Sequence, residues 1–542
     1  MSRYITQKKG LFLAYFLLTW LTSAGGIGFA FVLSGIINQA AAGNMQGLLL
    51  AIGRGIFFVL TAAICGYLYD RVSNRLLYYA RIGLKNDLFC SYFQKNTMDY
   101  ERKNSAEYLN EITNNVNIFS EVYFTNVLQL PVVILVFAAA VVLCIAIEPV
   151  MLLVILCFSV AIALVSRKCG QALQNSTEAL AKGTGRYLAV LKDYFAGWRL
   201  IQGYHRSAAV TALHEKENRE AERLREKNSN IRSMYSRVNE LMGLVSTLSI
   251  MGVAGVFAVR GSFAIGIVFA FGQLAGKIMS PIMEASNIYV QLKSAKTLRQ
   301  DFEKSLTAGG QSRKKEKKKA EFYDAITVRE LGFSYPNMKK SGKVLDAVNM
   351  TFYKGGKYLI TGQSGAGKST FLSLLAGMYD NYEGSLRYDD VEVRDMEEES
   401  LHALVSVVEQ EAFLFHDTLK NNITLYDDSY EEEEIWRALR LAGLEKKVKE
   451  LSENGMSGLS VKVSENGGNF SGGEKQRINL ARAILRGAPV LLLDEFTASL
   501  DEKTAEEVER AVLALEGGTI LFVTHKVNER LAGLYDGRYE IL

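Results

Sequence analysis

Six apolar runs, each close to the length of a bilayer core, constrain this chain more than any other feature. They cover residues 11–37, 48–68, 127–147, 150–166, 241–259 and 263–282. A helix needs about 20 apolar residues to cross the hydrocarbon. Only structures that pair every backbone group internally survive there. The runs come as three pairs, joined by the uncharged 38–47 stretch, by Glu148-Pro149 and by Arg260-Gly261-Ser262. Between pairs lie long charged segments, residues 69–123 and 167–240. The first carries Arg71, Arg75, Arg81, Lys85, Lys95, Arg102 and Lys103, and the second Arg167, Lys168, Arg199 and Arg206.

Basic residues beside membrane ends mark the cytoplasmic side. The long segments and the start of the chain, with Arg3, Lys8 and Lys9, are therefore placed in the cytoplasm. Residues 11–37 are longer than the apolar core of a signal peptide and read as a span that is retained. An even number of spans returns the rest of the chain to the cytoplasm. Residues 215–232, rich in Glu, Lys, Arg and Leu, favour helix, so the membrane helices are expected to run well past the bilayer.

The remainder of the 542 residues changes character. Helix is expected to about Leu306, followed by a basic linker over 307–321. From Phe322 onward apolar strand-like runs at 357–361, 406–409, 490–493 and 520–523 alternate with helical segments. That pattern predicts a largely parallel, doubly wound sheet. A net charge of +4 is too small to argue for nucleic acid. Five cysteines, Cys65, Cys90, Cys144, Cys157 and Cys169, form no CxxC pair. They read as small apolar packing residues rather than zinc ligands or disulfides.

The chemistry sits in the second half. Gly362-Gln363-Ser364-Gly365-Ala366-Gly367-Lys368-Ser369-Thr370 follows the 357–361 strand and precedes a helical run. This is the strand–loop–helix setting of a phosphate-binding loop. Its amides would close on phosphate oxygens, Lys368 would neutralise the β- and γ-phosphates, and Ser369 would hold Mg²⁺. The 490–493 strand ends in Asp494 and Glu495. Asp494 would orient Mg²⁺, and Glu495 would act on the attacking water as general base.

Between these pieces, Phe470-Ser471-Gly472-Gly473-Glu474-Lys475-Gln476-Arg477 resembles the signature motif of ATP-binding cassette (ABC) proteins. Phe470 replaces the usual Leu, and Glu474 the usual Gln, which adds a negative charge near ATP. The resemblance implies that Ser471, Gly472 and Gly473 face the γ-phosphate of ATP held by a second subunit. It further matches Tyr335 to the adenine-stacking aromatic and Gln410 to the loop glutamine that contacts Mg²⁺. Glu465 matches an exporter-type loop residue, Ser499-Leu500-Asp501 the dimer-contact loop, and His525 the switch histidine on the γ-phosphate.

The paired six-span layout resembles the exporter-type (type IV) half-transporter over essentially the whole chain. Met98-Asp99-Tyr100-Glu101 through Asn115, and Gly197 to Ile201, resemble its two coupling regions. The resemblance implies a multidomain protein. Residues 1–306 would form an all-α six-helix transmembrane domain with long cytoplasmic extensions. Residues 322–542 would form an α/β P-loop ATPase domain with an α-helical subdomain. ATP and Mg²⁺ are the implied cofactors. The implied partners are a second half-transporter, identical or related, the membrane lipid and an unidentified cargo. The expected place is the cell membrane, multi-pass, with the N-terminus and ATPase domain cytoplasmic.

The expected activity is ATP-driven export of a peptide, lipid or hydrophobic small molecule by alternating access. Import of a metal chelate, or an ATP-gated channel or regulatory subunit, stays open on the same fold. A soluble DNA-repair or chromosome-organising ATPase shares the signature but not the six spans. No peptidase-like segment precedes the first span, so leader cleavage by this chain is not expected. Lys277, within the sixth run, is either a contact for an anionic cargo group or a structural partner of a carboxylate. Arg54 is expected to snorkel, and Trp20, Phe29 and Phe31 to line a cavity or face lipid.

Overall fold

The computed structural model describes residues 1, 3–311, 318–335, 342–452 and 457–541, without the side chains of 167–169 and 308–311. Six helices are long and apolar enough to cross a membrane, among the described residues. They are α1 (Lys9–Ala41), α2 (Met45–Phe93), α3 (Ser105–Ile147), α4 (Pro149–Ala196), α5 (Ser207–Val259) and α6 (Gly266–Gln311). Five contain one of the six expected runs whole and α6 holds the sixth from Gly266 onward; four exceed 45 residues, so the membrane helices do continue beyond the hydrocarbon.

Glu148 explains the tightest connection. It is extended at φ −159°, its side chain caps the Val150 N–H, and Pro149 opens α4 where no backbone donor is needed. Two π-helical turns, Glu111–Asn115 and Ser120–Phe124, interrupt α3. They shift its faces so that Val116, Phe119, Phe124 and Leu128 all reach one core with Leu76, Ala80, Leu84 and Phe302. A second core joins Ala140, Cys144, Met151, Ile155, Ile250, Phe271 and Leu274.

Two compact units divide the chain. The first holds Met1–Phe93 and Asn104–Gly309, and the second Gln94–Lys103 and Gly310–Leu542. The short 94–103 segment therefore belongs with the second unit, although it follows α2 in sequence. It contains one helical turn, Thr97–Tyr100, capped by the Asn96 side chain. The expected linker is shorter than 307–321. Helix α6 runs to Gln311, and residues 312–317 lie outside the described residues. Lys318 already donates its N–H to the Asp395 carbonyl, and Ala320 donates to Ser400 Oγ. Backbone pairing thus fixes residues that the basic composition had read as linker.

The second unit holds nine strands among its described residues. They are β1 (Ala325–Phe333), β2 (Leu345–Tyr353), β3 (Lys357–Gly362), β4 (Glu383–Tyr388), β5 (Val391–Glu392), β6 (Val405–Val408), β7 (Val490–Asp494), β8 (Thr519–Val523) and β9 (Gly537–Ile541). The order β6-β7-β8-β3-β9 is parallel throughout. β7 and β8 are buried at every position, as central strands covered on both faces must be. A second sheet, β2-β1-β4-β5, is antiparallel. Its half-exposed strands, bulged near Glu330 at φ +48°, gave no continuous apolar run to read.

Phe352, Phe371, Leu386, Tyr388 and Leu492 pack between the two sheets. Another core, built on Ile435, Leu439, Ile478, Leu480 and Phe496, carries the helical part of the unit. There lie α8 (Leu419–Thr424), α9 (Glu432–Leu441) and α10 (Gly472–Arg486), following α7 (Lys368–Leu375) and preceding α11 (Glu502–Leu513).

Candidate functional site

Parallel strands end side by side, and their C-terminal ends carry the polar residues. β3 delivers the Gly362–Thr370 loop, which α7 continues. Gly365 and Gly367 sit at φ +85° and +89°, a region L-residues rarely adopt. At Gly367 a Cβ would also lie 2.9 Å from the Val344 carbonyl oxygen, and at Gly362 it would collide with the Ile541 carbonyl. The loop therefore closes tightly at the N-terminus of α7, with amides and helix dipole available to an anion. Ser364 and Ser369 are exposed. Lys368 is 4% exposed, and its ammonium donates to the Gly362 and Gln363 carbonyls at 3.0 and 2.8 Å.

β7 ends in Asp494 and Glu495, 7% and 8% exposed. Asp494 Oδ1 is buried with no hydrogen-bond partner among the described residues. Burial raises its carboxyl above the ordinary range; the Ser369 hydroxyl opposes that, and the Glu495 charge adds to it. Glu495 occupies the left-handed region at φ +47°, which is costly for a side-chain-bearing residue. That turn sets its carboxylate between two donors: His525 Nε2 at 2.5 Å and Gln410 Nε2 at 3.2 Å.

Lys368 Nζ lies 3.2 Å from His525 Nδ1. An ammonium only donates, so Nδ1 accepts, and the Nε2 proton is the one directed at Glu495. Residues far apart in sequence thus meet at one place: Lys368, Gln410, Asp494, Glu495 and His525. The Asp494 carboxylate has the Ser369 hydroxyl beside it, and the Gln410 side-chain amide stands against the adjacent Glu495. These are hard oxygen ligands of the kind Mg²⁺ takes, so the residues fit that ion.

Ser471 is the N-cap of α10 and forms a reciprocal capping box with Glu474. Gly473 packs so closely on the Ser499 and Leu500 turn that a Cβ would lie 2.9 Å from the Ser499 carbonyl oxygen. Gly472 faces Ser499 at 3.8 Å by the same measure. Phe470 is 6% exposed within the helical-part core, so its replacement of Leu keeps an apolar anchor. The Glu474 carboxylate turns back on its own helix and pairs with Lys447 at 3.5 Å. Among the described residues no hydrogen bond joins Ser471 to the 362–370 loop.

Tyr335 Oη hydrogen-bonds Thr370 Oγ1 at 2.9 Å, which places the ring beside the start of α7. Asp501 caps α11 by accepting the Thr504 N–H at 3.0 Å, and that bond holds its carboxyl below the ordinary value. Glu465 is exposed on a short turn.

Three residues escaped the sequence reading. Gln476 donates to the Gln410 carbonyl and accepts the Ser499 N–H, at 3.2 and 3.3 Å. Arg482 donates to the Phe413 and Asn422 carbonyls at 2.7 and 2.5 Å. Tyr379 donates to Glu101 at 2.9 Å. The capping box was legible as Ser-x-x-Glu; the other contacts span 23 to 278 residues and leave no local signal.

Comparison with known proteins agrees with this geometry. Residues 12–282 match the family model described as ABC transporter transmembrane region, and residues 345–498 the one described as ABC transporter. An ABC transporter ATP-binding protein of Bacillus subtilis (strain 168), YwjA, is 25% identical over 545 residues, covering 97% of this chain and 91% of that protein. The ATP-dependent lipid A-core flippase of Desulfotalea psychrophila is 28% identical over 364 residues, 67% of this chain and 62% of the flippase. A solved structure of a bacterial Atm1-family ABC exporter with ATP bound superposes with a TM-score of 0.81 at 18% identity. It covers 98% of this chain and 93% of that one.

Proposed function

As this chain belongs to the ABC transporter family, membrane region and ATPase fused in one polypeptide, we propose that the Lys368–Glu495–His525 cluster hydrolyses ATP to drive outward movement of a lipid-like amphiphile. The chain is a multi-pass membrane protein with a cytoplasmic ATPase domain, and it binds ATP. It has the exporter fold. Half-transporters of this fold work as dimers, and the second subunit proposed here is an identical copy. A related but different subunit is the alternative.

The observation that carries the reading is the Glu495 carboxylate, buried and aimed by His525 Nε2 and Gln410 Nε2. When ATP enters, Lys368 exchanges the Gly362 and Gln363 carbonyls for phosphate oxygens, and the loop amides take the rest. Tyr335 receives the adenine face, and Thr370 at the start of α7 holds the Tyr335 hydroxyl. Ser369, Asp494 and Gln410 would hold Mg²⁺, which supplies charge neutralisation on the phosphates. Glu495 draws a proton from water as the water oxygen bonds to the γ-phosphorus and the bond to ADP breaks. His525, with its Nε2 proton, orients Glu495 and stands by the γ-phosphate. Ser471, Gly472 and Gly473 serve the ATP of the partner subunit, and Asp501 lies at that junction. Loss of the γ-phosphate removes the group both subunits hold, and the subunits part.

Export of a lipid-like cargo is favoured by the flippase and exporter likenesses. Import of a chelate has no such support. The direct test is Glu495→Gln in lipid nanodiscs. Turnover should fall on the order of 10²–10⁴-fold while ATP binding persists and holds the dimer closed. Unimpaired turnover would remove Glu495 from the mechanism. Transport of a fluorescent lipid in inverted vesicles reads the direction: ATP-dependent uptake into the lumen supports export.

A further inference from the structure

One face of α6 is polar from the middle of its membrane run into the extension beyond it. Gln273, Lys277, Ser280, Glu284, Asn287 and Gln291 recur at steps of four and three, so they line a single side of the helix. The opposite side carries Phe271, Leu274, Ala275 and Ile278 into the apolar core. α6 is also the span most enclosed by protein, with 50% of its apolar window buried against 6% for α2. A polar stripe of this length cannot face acyl chains; it faces protein or a water-filled path.

The stripe is satisfied at one end only. Gln291 accepts from Asn126 at 2.8 Å, and Gln129 donates to Glu284. Both partners stand on α3. Lys277 has no hydrogen bond or ion pair among the described residues. Glu284 is seven positions on, about 10 Å along the axis, and already partnered. Lys277 follows Gly266 by about 16 Å of rise, near the middle of a ~30 Å core.

Its ammonium lies against α1 where Gly26 leaves room; a Cβ there would be 3.4 Å from Nζ. One turn away on α1, Ser23 is 5% exposed, and its hydroxyl has no partner among the described residues. An unanswered cation thus sits near bilayer mid-depth on the face that carries the exposed Gln273 and Ser280, and the unanswered Ser23 hydroxyl lies one turn along α1 from the Gly26 that the cation meets.

We propose that Lys277, with Ser23 and Ser280, is the subsite that receives the oxyanion of the transported amphiphile, which makes the cargo class anionic. This rests on the transport reading above and names its substrate class. The ammonium supplies the charge, and the two hydroxyls complete the donors an oxyanion needs. Glu284, held by Gln129, marks the end of the stripe that an anion avoids.

The test is binding without nucleotide, to the full-length protein in phosphatidylcholine nanodiscs. The probes are short-chain phosphatidic acid, short-chain phosphatidylcholine and inorganic phosphate. Wild type should prefer phosphatidic acid over phosphatidylcholine by about tenfold or more. Lys277→Gln should bring that ratio near one, and Lys277→Arg should keep it. Gly26→Leu, which fills the space before the ammonium and retains the charge, should lower the ratio as well. Gel filtration confirms that each variant is folded. An unchanged ratio in folded Lys277→Gln overturns the proposal. Lys277-dependent binding of inorganic phosphate as tight as phosphatidic acid overturns the amphiphile assignment. No nucleotide is involved, so failure here is distinct from failure of the Glu495→Gln test.

Discussion

Glu474 caps its own helix: Oε2 accepts the Ser471 N–H at 2.8 Å, and the Ser471 hydroxyl accepts the Glu474 N–H at 3.3 Å. An acid at this motif position threatened to repel ATP. Turned back on the helix and paired with Lys447, it instead complements the helix dipole. Partial burial pulls its carboxyl up, but the Ser471 amide and Lys447 outweigh this and hold it below the ordinary 4.5. A group with a depressed folded pKa stabilises fully above its unfolded value, and that contribution is lost as pH falls through the folded value.

Glu474→Gln can close the same box but cannot titrate. Wild type, whose charge also meets Lys447 and the helix dipole, should therefore unfold at a higher temperature than Glu474→Gln at neutral pH. Below about pH 4.5 wild type should lose stability relative to the variant. Glu474→Ala should cost about 1 kcal/mol at neutral pH. Thermal unfolding across pH reads all three, and parallel curves for wild type and Glu474→Gln would dismiss the linkage.

Gln476 joins two loops to the signature helix. At 4% exposure it ties the Gln410 carbonyl to the Ser499 N–H. Gln476→Ala leaves both groups unanswered in a buried place, at a cost of about 1–3 kcal/mol. The loss falls on loops that position Gln410 and Asp501 rather than on the phosphate cradle. The ATPase kcat should drop about tenfold with KM for ATP changed less than about twofold. Gln476→Glu keeps the acceptor for Ser499 but sets an acceptor against a carbonyl, so its kcat should fall between the two. A raised KM at unchanged kcat would move Gln476 from loop positioning to nucleotide binding.

What the sequence made legible was whatever repeats locally. The six spans follow from run length, the β3-loop-α7 unit from glycine spacing, and β7 and β8 from unbroken apolar stretches between turn residues. The antiparallel β1-β2-β4-β5 sheet stayed hidden because strands such as Ala325–Phe333 mix exposed Arg329 and Glu330 with buried neighbours across a bulge. The place of His525 at the γ-phosphate came from a family pattern, and its contact with Glu495 came from the structure. The atomic basis of that contact, a left-handed Glu495 between two donors, is a property of the folded turn. Arg482 looked like one more basic residue on a helix, since its three acceptors lie 60 to 69 positions away.

That arginine should be structural. Burial pushes Arg482 down to about 10, still protonated at neutral pH, and it binds two carbonyls and the Asn422 side chain. Lysine cannot span three acceptors with a point charge. Arg482→Lys should lose about 1–2 kcal/mol and Arg482→Met about 2–4 kcal/mol of stability. Both should show as a lower Tm of the full-length protein in nanodiscs. Equal Tm values for wild type and Arg482→Met would mean that the loop from Phe413 to Asn422 is held by other contacts.

Tyr379 connects the nucleotide side of the second unit to Glu101. Its hydroxyl donates to Glu101 at 2.9 Å, and its ring meets Tyr335 edge-on at 5.6 Å and Phe333 at 5.3 Å. Tyr335 in turn holds Thr370. Burial, with Glu101 beside it, raises the phenol well above its ordinary value, so it stays a donor at any physiological pH. Glu101 belongs to the 94–103 segment, the stretch of the first charged loop that clusters with this unit. Tyr379→Phe keeps the ring contacts and deletes only the bond to Glu101, a charge-assisted bond of about 1.5–3 kcal/mol. Fluorescent ATP should bind within about twofold of wild type, because the packing around Tyr335 is intact, while stimulation of the ATPase by amphiphile should fall several-fold. Glu101→Gln still accepts and should retain most of the stimulation; Glu101→Ala should match Tyr379→Phe, and the double variant should add little to either. If Tyr379→Phe instead weakens ATP binding and leaves stimulation whole, the hydroxyl serves the nucleotide pocket and not the loop.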